Sequence, residues 1–176
     1  NKSITQTLLY ISTRRVKLFD FYKIKIHMDK HNLVTISEIT NNLDSKRIPL
    51  NSEQRKKKSL NPIYPYVGAN NILEYIDDYI FNQKILCVAE DGGSWGRNEK
   101  CALIMNEKCW VNNHAHVLTP KDNLHLEYLC YYLNYNDLNL NITGATRGKL
   151  NKGALNRIKI PLPSLEAQKQ IAQTLD

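Results

Sequence analysis

Residues that could do chemistry are few in this sequence, and most have a plainer role. His114 and His116 stand two apart in Trp110-Val111-Asn112-Asn113-His114-Ala115-His116-Val117-Leu118. Alternate residues of a strand face the same way, so the two imidazoles share a side. As structural groups they hydrogen-bond to turn carbonyls; as metal ligands they need a carboxylate or a thiolate nearby, such as Cys101 or Cys109. The structural reading is preferred, and no metal is assigned. Glu90 and Asp91 beside Glu99-Lys100 lack the Glu-x-Lys spacing of a nuclease site, and Asp91-Gly92-Gly93 reads as a turn. Asn61-Pro62-Ile63-Tyr64 has the outline of the Asn-Pro-Pro-aromatic motif that grips the amine of a flipped base. Its third residue is Ile, and no glycine-rich cofactor loop follows an upstream strand. No catalytic residue is assigned.

The four cysteines, at positions 87, 101, 109 and 130, form no Cys-x-x-Cys pair, which argues against a structural zinc site. Cys87 and Cys130 lie in apolar surroundings and read as small core residues. Such cysteine usage suits a reduced, cytoplasmic setting.

Positive charge is the stronger signal. Lys and Arg number 24 against 17 Asp and Glu, a net charge of +7 that points to an anionic partner, most commonly nucleic acid. Arg47 and Arg55-Lys56-Lys57-Lys58 occupy one polar stretch. Arg147, Lys149, Lys152, Arg157 and Lys159 form a second group, with no acidic residue between Asp137 and Glu166. Residues 55–58 read equally well as a solvated face. For the second group, phosphate contact is favoured, because Gly144 and Gly148 let the backbone come close. Base reading needs Arg, Asn or Gln on turns that reach a groove. Asn70, Asn71, Trp95, Arg97 and Asn98 sit on such turns, and Asn41, Asn42, Arg47 and Asn51 are similar candidates on the first loop. The set taken forward for DNA contact is Arg47, Arg55, Lys57, Asn70, Asn71, Trp95, Arg97, Arg147, Lys149 and Lys152.

A globular frame must position these residues. Hydrophobic residues make up 42% and charged residues 23% of a chain of 176, enough for one domain with an appended helix. No apolar run is long enough for a bilayer, and the first residues carry no leader-like apolar stretch. The chain starts at Asn1 and stops at Asp176 within a helical pattern, so it is expected to be a piece of a longer polypeptide. Patterning predicts a helix over 2–13, a strand over 16–26 and a strand over 33–36, with Ser37 capping a short helical turn. Residues 41–62 read as an extended loop and 63–85 as short strand pieces. The run 84–89 is the clearest buried strand, followed by strands over 101–105 and 115–118. A helix over 124–135 has Asn123 as its expected cap, and 157–162 alternates into a last strand. Ser164 then caps a helix with Leu165, Ile171, Ala172 and Leu175 on one side, and Glu166 suits its dipole.

Four stretches carry a resemblance: Tyr66 to Asn71, Ile85 to Gly96, Trp110 to Leu118, and Gly144 to Lys152 running through Ile158-Lys159-Ile160-Pro161-Leu162-Pro163 into Glu166-Ala167-Gln168-Lys169-Gln170-Ile171. In this order they resemble the specificity (S) subunits of type I restriction-modification enzymes and the related recognition domains of type IIG enzymes. The resemblance covers about Leu33 to Asp176. It implies an α+β target recognition domain with a twisted mixed β-sheet, short helices and a truncated C-terminal spacer helix. Residues 1–30 are then a connector of unclear role, 31–163 the DNA target recognition domain, and 164–176 the start of the spacer helix. The domain is expected to read one half of a split site in double-stranded DNA. Its helix, through Leu165, Gln168, Ile171 and Leu175, is expected to dock methyltransferase (M) subunits or associate with another copy. Restriction (R) subunits complete the assembly; S-adenosylmethionine and Mg belong to the partner subunits, with no cofactor and no catalysis in this chain. The alternative is the recognition part of a fused type IIG enzyme.

Overall fold

The computed structural model describes residues 33–144 and 146–175. The connector 1–30, with its expected helix and strand, lies outside the described residues.

The central strand is β5 (Ile85–Ala89), whose five residues are all buried, because both faces are covered. Its side chains alternate between two cores. Leu86 and Val88 join a large cluster with Leu118, Leu129, Leu133 and Leu155, while Ile85 and Cys87 join a smaller one with Val67, Phe81 and Val117. Antiparallel β6 (Ala102–Met105) and β8 (Ala115–Pro120) flank β5, and β2 (Thr40–Asn42) extends β8, giving the order β2-β8-β5-β6. A second sheet is mixed: β3 (Tyr64–Val67) pairs antiparallel with β4 (Ile72–Ile76) and parallel with β7 (Trp110–Val111). A third joins β1 (Leu33–Thr35) to β9 (Lys159–Pro161). The class is α+β with a mixed sheet, as expected, and the strands are shared among three sheets.

Local chemistry moves several helix boundaries from their expected places. Helix α1 (Ile36–Ile39) is capped by Thr35, whose N–H donates to Glu38 Oε2 at 2.6 Å; Ser37 is already inside the helix. Residues 52–58, expected as extended loop, form α2 (Ser52–Lys58). Asn51 and Gln54 cap it reciprocally at 2.9 Å each, and its basic last turn suits the dipole. Helix α3 (Leu126–Tyr135) starts from His125, since Asn123 has φ 67° and belongs to the turn before it. Arg157 ends a short helix, α4 (Lys152–Arg157), capped by Asn151, so the last strand is shorter than expected.

Helix α5 (Leu165–Leu175) begins as expected, with Ser164 Oγ accepting from Ala167 N–H at 3.3 Å. It packs on α3, contributes Ile171 to the main core and buries Ala172. Gln168 is fully buried: Oε1 accepts from His125 N–H at 2.9 Å, while Nε2 donates to the carbonyls of Asn123 and Pro163, each at 2.9 Å. Gln168 and Ile171 therefore serve the chain's own core and cannot reach a partner while packed there, which corrects their expected role. Of the four positions expected to face a partner, Leu165 is 38% exposed and Leu175 partly buried. Among the described residues, no helix is long and apolar enough to cross a membrane.

Candidate nucleic-acid interface

The pairing of Ala89 with Ala115 sets the end of β5 beside the start of β8. Glu90 and Asp91 consequently leave the sheet next to His114, and Glu90 N–H donates to the His114 carbonyl at 2.8 Å. The segment 143–150 straps onto this edge through Leu150 N–H to the Glu90 carbonyl at 2.8 Å. Thr143 and Lys149 exchange backbone bonds of 2.9 and 2.7 Å, closing the loop between them. Within that loop, Gly144 has φ 96°, a conformation that favours glycine.

An ion network fills the edge in two layers. In the inner layer, His116 places Nδ1 2.6 Å from Asp44 Oδ2 and Nε2 2.7 Å from the Leu150 carbonyl, with its side chain 1% exposed. Asp44 also accepts from Val117 N–H at 2.8 Å and Asn42 Nδ2 at 3.0 Å. Arg47 Nη1 donates to Glu90 Oε2 at 2.8 Å and to the Ala115 carbonyl at 2.7 Å, and its side chain is 14% exposed. In the outer layer, one oxygen of Asp91, Oδ1, lies 2.5 Å from His114 Nδ1 and 3.2 Å from Arg147 Nη2. Lys149 Nζ lies 3.0 Å from Glu90 Oε1. These side chains face water: Arg147 is 65%, Lys149 47% and His114 40% exposed.

Burial alone would raise the Asp44 carboxyl, but its bonds to His116, Val117 N–H and Asn42 hold it down at about 2. For Glu90 burial also pushes upward, and Arg47 and Lys149 bring the carboxyl below its ordinary value. Asp44, Glu90 and His116 are close enough to hold a metal ion. The chemistry is instead that of an ion network: both His116 nitrogens already face acceptors, and Arg47 lies against both carboxylates. Burial raises Cys101 and Cys109 to about 12, so both are protonated, unreactive thiols.

The other candidates divide among three settings. Trp95 is buried, with Nε1 donating to the Ala89 carbonyl at 3.2 Å, and forms a floor that a Cβ on Gly148 would meet at 3.0 Å. Asn70 Nδ2 donates to the Lys100 carbonyl at 2.9 Å, which ties the β3–β4 turn to the loop bearing exposed Arg97. Asn71 is exposed beside it, and Lys152 is exposed at the start of α4. Arg55 pairs with Glu74 at 3.4 Å and Lys57 with Glu53 of its own helix at 2.9 Å, a separate set of contacts on the second sheet and α2. The network thus gathers Arg47, Arg147 and Lys149, with Trp95 under the loop. Asp44, Glu90, Asp91 and His114 were not among the residues taken forward for DNA contact. The Glu90-Asp91 pair after the buried strand run and the spacing of His114 and His116 were the sequence signals present, and nothing marked Asp44.

Comparison with known proteins adds to this geometry. The family described as type I restriction modification DNA specificity domain matches residues 18–176. A Haemophilus influenzae protein named as a type I restriction enzyme specificity subunit, S.HindORF215P, is 33% identical over 141 residues, covering 80% of this chain and 35% of that protein. The EcoprrI specificity subunit of Escherichia coli is 25% identical over 168 residues, covering 92% of this chain and 40% of that protein. The chain therefore spans 35% to 40% of the length of these relatives. Among solved structures, the type I restriction-modification S subunit from M. genitalium superposes with a TM-score of 0.60 at 14% identity, over 92% of this chain and 40% of that one. The HsdS subunit from Thermoanaerobacter tengcongensis gives 0.53 at 17% identity, over 99% of this chain and 47% of that one. At these identities the structural likeness speaks for the fold.

Proposed function

Because the chain belongs to the type I restriction modification DNA specificity domain family, we propose that it reads one half of a split site in duplex DNA with the loop edge built around Glu90 and Asp91. The carrying observation is the pair Arg147 and Lys149, exposed on a glycine-flanked loop yet held in place by carboxylates of the sheet edge. Arg147 has five N–H donors and spends one on Asp91, so it can meet a phosphate without leaving its anchor. Lys149 works in the same way from Glu90. Their contacts supply affinity, while Asn70, Asn71 and Arg97 are the proposed contacts to base edges. Buried Arg47 and Trp95 act from beneath, as supports of the reading surface. Arg55, Lys57 and Lys152 are outlying phosphate contacts.

In this reading the chain contributes specificity to a cytoplasmic complex whose methyltransferase and endonuclease subunits carry the S-adenosylmethionine and Mg chemistry. Leu165 and Leu175 on α5 remain its partner-facing positions, for those subunits or a second copy. The test is selection by the full-length polypeptide from a pool of duplexes with a randomised segment. A short consensus is expected, with binding by an Arg147→Ala/Lys149→Ala variant weakened on all sequences alike. An unenriched pool refutes the reading.

A further inference from the structure

His114 was read above as a structural residue, and its partner Asp91 as part of a turn; their geometry does more. Asn112, itself buried, accepts from the His114 N–H at 2.8 Å and so fixes where the ring leaves the chain. Asp91 Oδ1 faces Nδ1 at 2.5 Å, while Nε2 has no partner among the described residues. A carboxylate only accepts, so in the neutral ring the proton sits on Nδ1 and Nε2 keeps its lone pair. The same oxygen holds Arg147 Nη2 at 3.2 Å. Arg147 lies so close to Gly92, whose φ is 65°, that a Cβ there would meet Nη2 at 2.5 Å. An acceptor and a donor fork are thus anchored on one atom, both in side chains that reach solvent.

Resting on the DNA-reading function, we propose that His114 is a specificity-determining residue of this edge and Asp91 its positioning residue. Nε2 accepts from the exocyclic amine of adenine or cytosine, and Arg147 donates alongside to a neighbouring acceptor or phosphate. In the major groove an exposed amine marks adenine (N6) or cytosine (N4), whereas guanine and thymine present acceptors there. The neutral ring therefore selects for an amine-bearing base at one position of the site. The binding free energy comes mainly from elsewhere on the edge, so the effect is one of discrimination.

The experiment is selection by the full-length polypeptide from the randomised duplex pool at pH 8. The wild type is compared with His114→Ala, His114→Gln, His114→Lys and Asp91→Asn. One consensus position restricted to adenine or cytosine is expected, with a preference of roughly tenfold. His114→Ala flattens that position alone. His114→Gln keeps it, because the amide carbonyl still accepts, and this also shows that substitution leaves the fold intact. His114→Lys turns it toward guanine or thymine. Asp91→Asn, whose amide can donate to Nδ1 and push the ring proton onto Nε2, blurs the same position. A consensus that is unchanged in His114→Ala and His114→Lys overturns the assignment of His114 and leaves the wider function standing. So does an even loss across every position. A wild-type pool without consensus sinks the DNA-reading function itself, and this assignment with it.

Discussion

The same three residue types meet twice at this edge, as His116-Asp44-Arg47 and as His114-Asp91-Arg147, and the two sets are built for different ends. In the inner set His116 is 1% exposed and both its nitrogens are spent; in the outer set His114 Nε2 has no partner among the described residues and Arg147 is largely in water. Burial makes the difference. A carboxylate that satisfies buried donors cannot be removed without stranding them, whereas one at the surface orients its partners at little cost to stability. The inner set holds the strap of 143–150 against the sheet; the outer set presents it.

That contrast breaks most visibly at its acidic centres. Asp44→Ala strands His116, Val117 N–H and Asn42, and is expected to lower unfolding stability by about 3 kcal/mol in urea titration. Asp91→Ala should change it by no more than about 0.5 kcal/mol. Equal losses would erase the distinction between the layers.

Acid should act on the inner set through Asp44. The Asp44 carboxyl is held at about 2 against an ordinary 3.8. A folded-state value below the unfolded one adds stability at higher pH, and that stability is lost as pH falls from 3.8 through about 2. The amount is about 2 kcal/mol, read as the difference in urea stability between pH 5 and pH 2. Asp44→Asn should remove that share of the acid sensitivity, and Asp91→Asn should leave it in place.

A third test asks whether α5 belongs to the supporting or the presenting side. Gln168→Ala leaves three backbone groups without their partner and is expected to cost about 2 kcal/mol. Leu165→Ala, at a partly exposed position, should cost under about 1 kcal/mol and weaken partner association instead, as measured by co-purification with the methyltransferase subunit. A neutral Gln168→Ala would mean that the helix is only lightly docked.

Much of this frame was legible in the sequence where the signal is local. The apolar run Ile85 to Ala89, within the strand expected over 84–89, marked β5, the spacing over 124–135 marked α3, and Ser164 marked the start of α5. Helix α2 escaped because it buries no residue and so has no apolar stripe, although Asn51 and Gln54 carry its capping pattern. The division into three sheets is set by pairings between distant segments, such as β1 with β9, for which no local pattern exists. The site shows the same limit. The histidine pair could be read as structural or as ligands from its spacing, but the carboxylate that decides for His116 comes from 72 residues away. Basic residues near 147 stood out by charge, whereas the acids that hold them resembled an ordinary turn.

The presenting role of the outer set is tested most directly by the salt dependence of duplex binding, measured as the slope of log K against log salt. Arg147→Ala with Lys149→Ala should flatten that slope by about one to two units, since each phosphate contact contributes about 0.9, while leaving urea stability within about 1 kcal/mol of wild type. A slope identical to that of wild type would mean that these two cations never meet the DNA backbone, and would contradict the account.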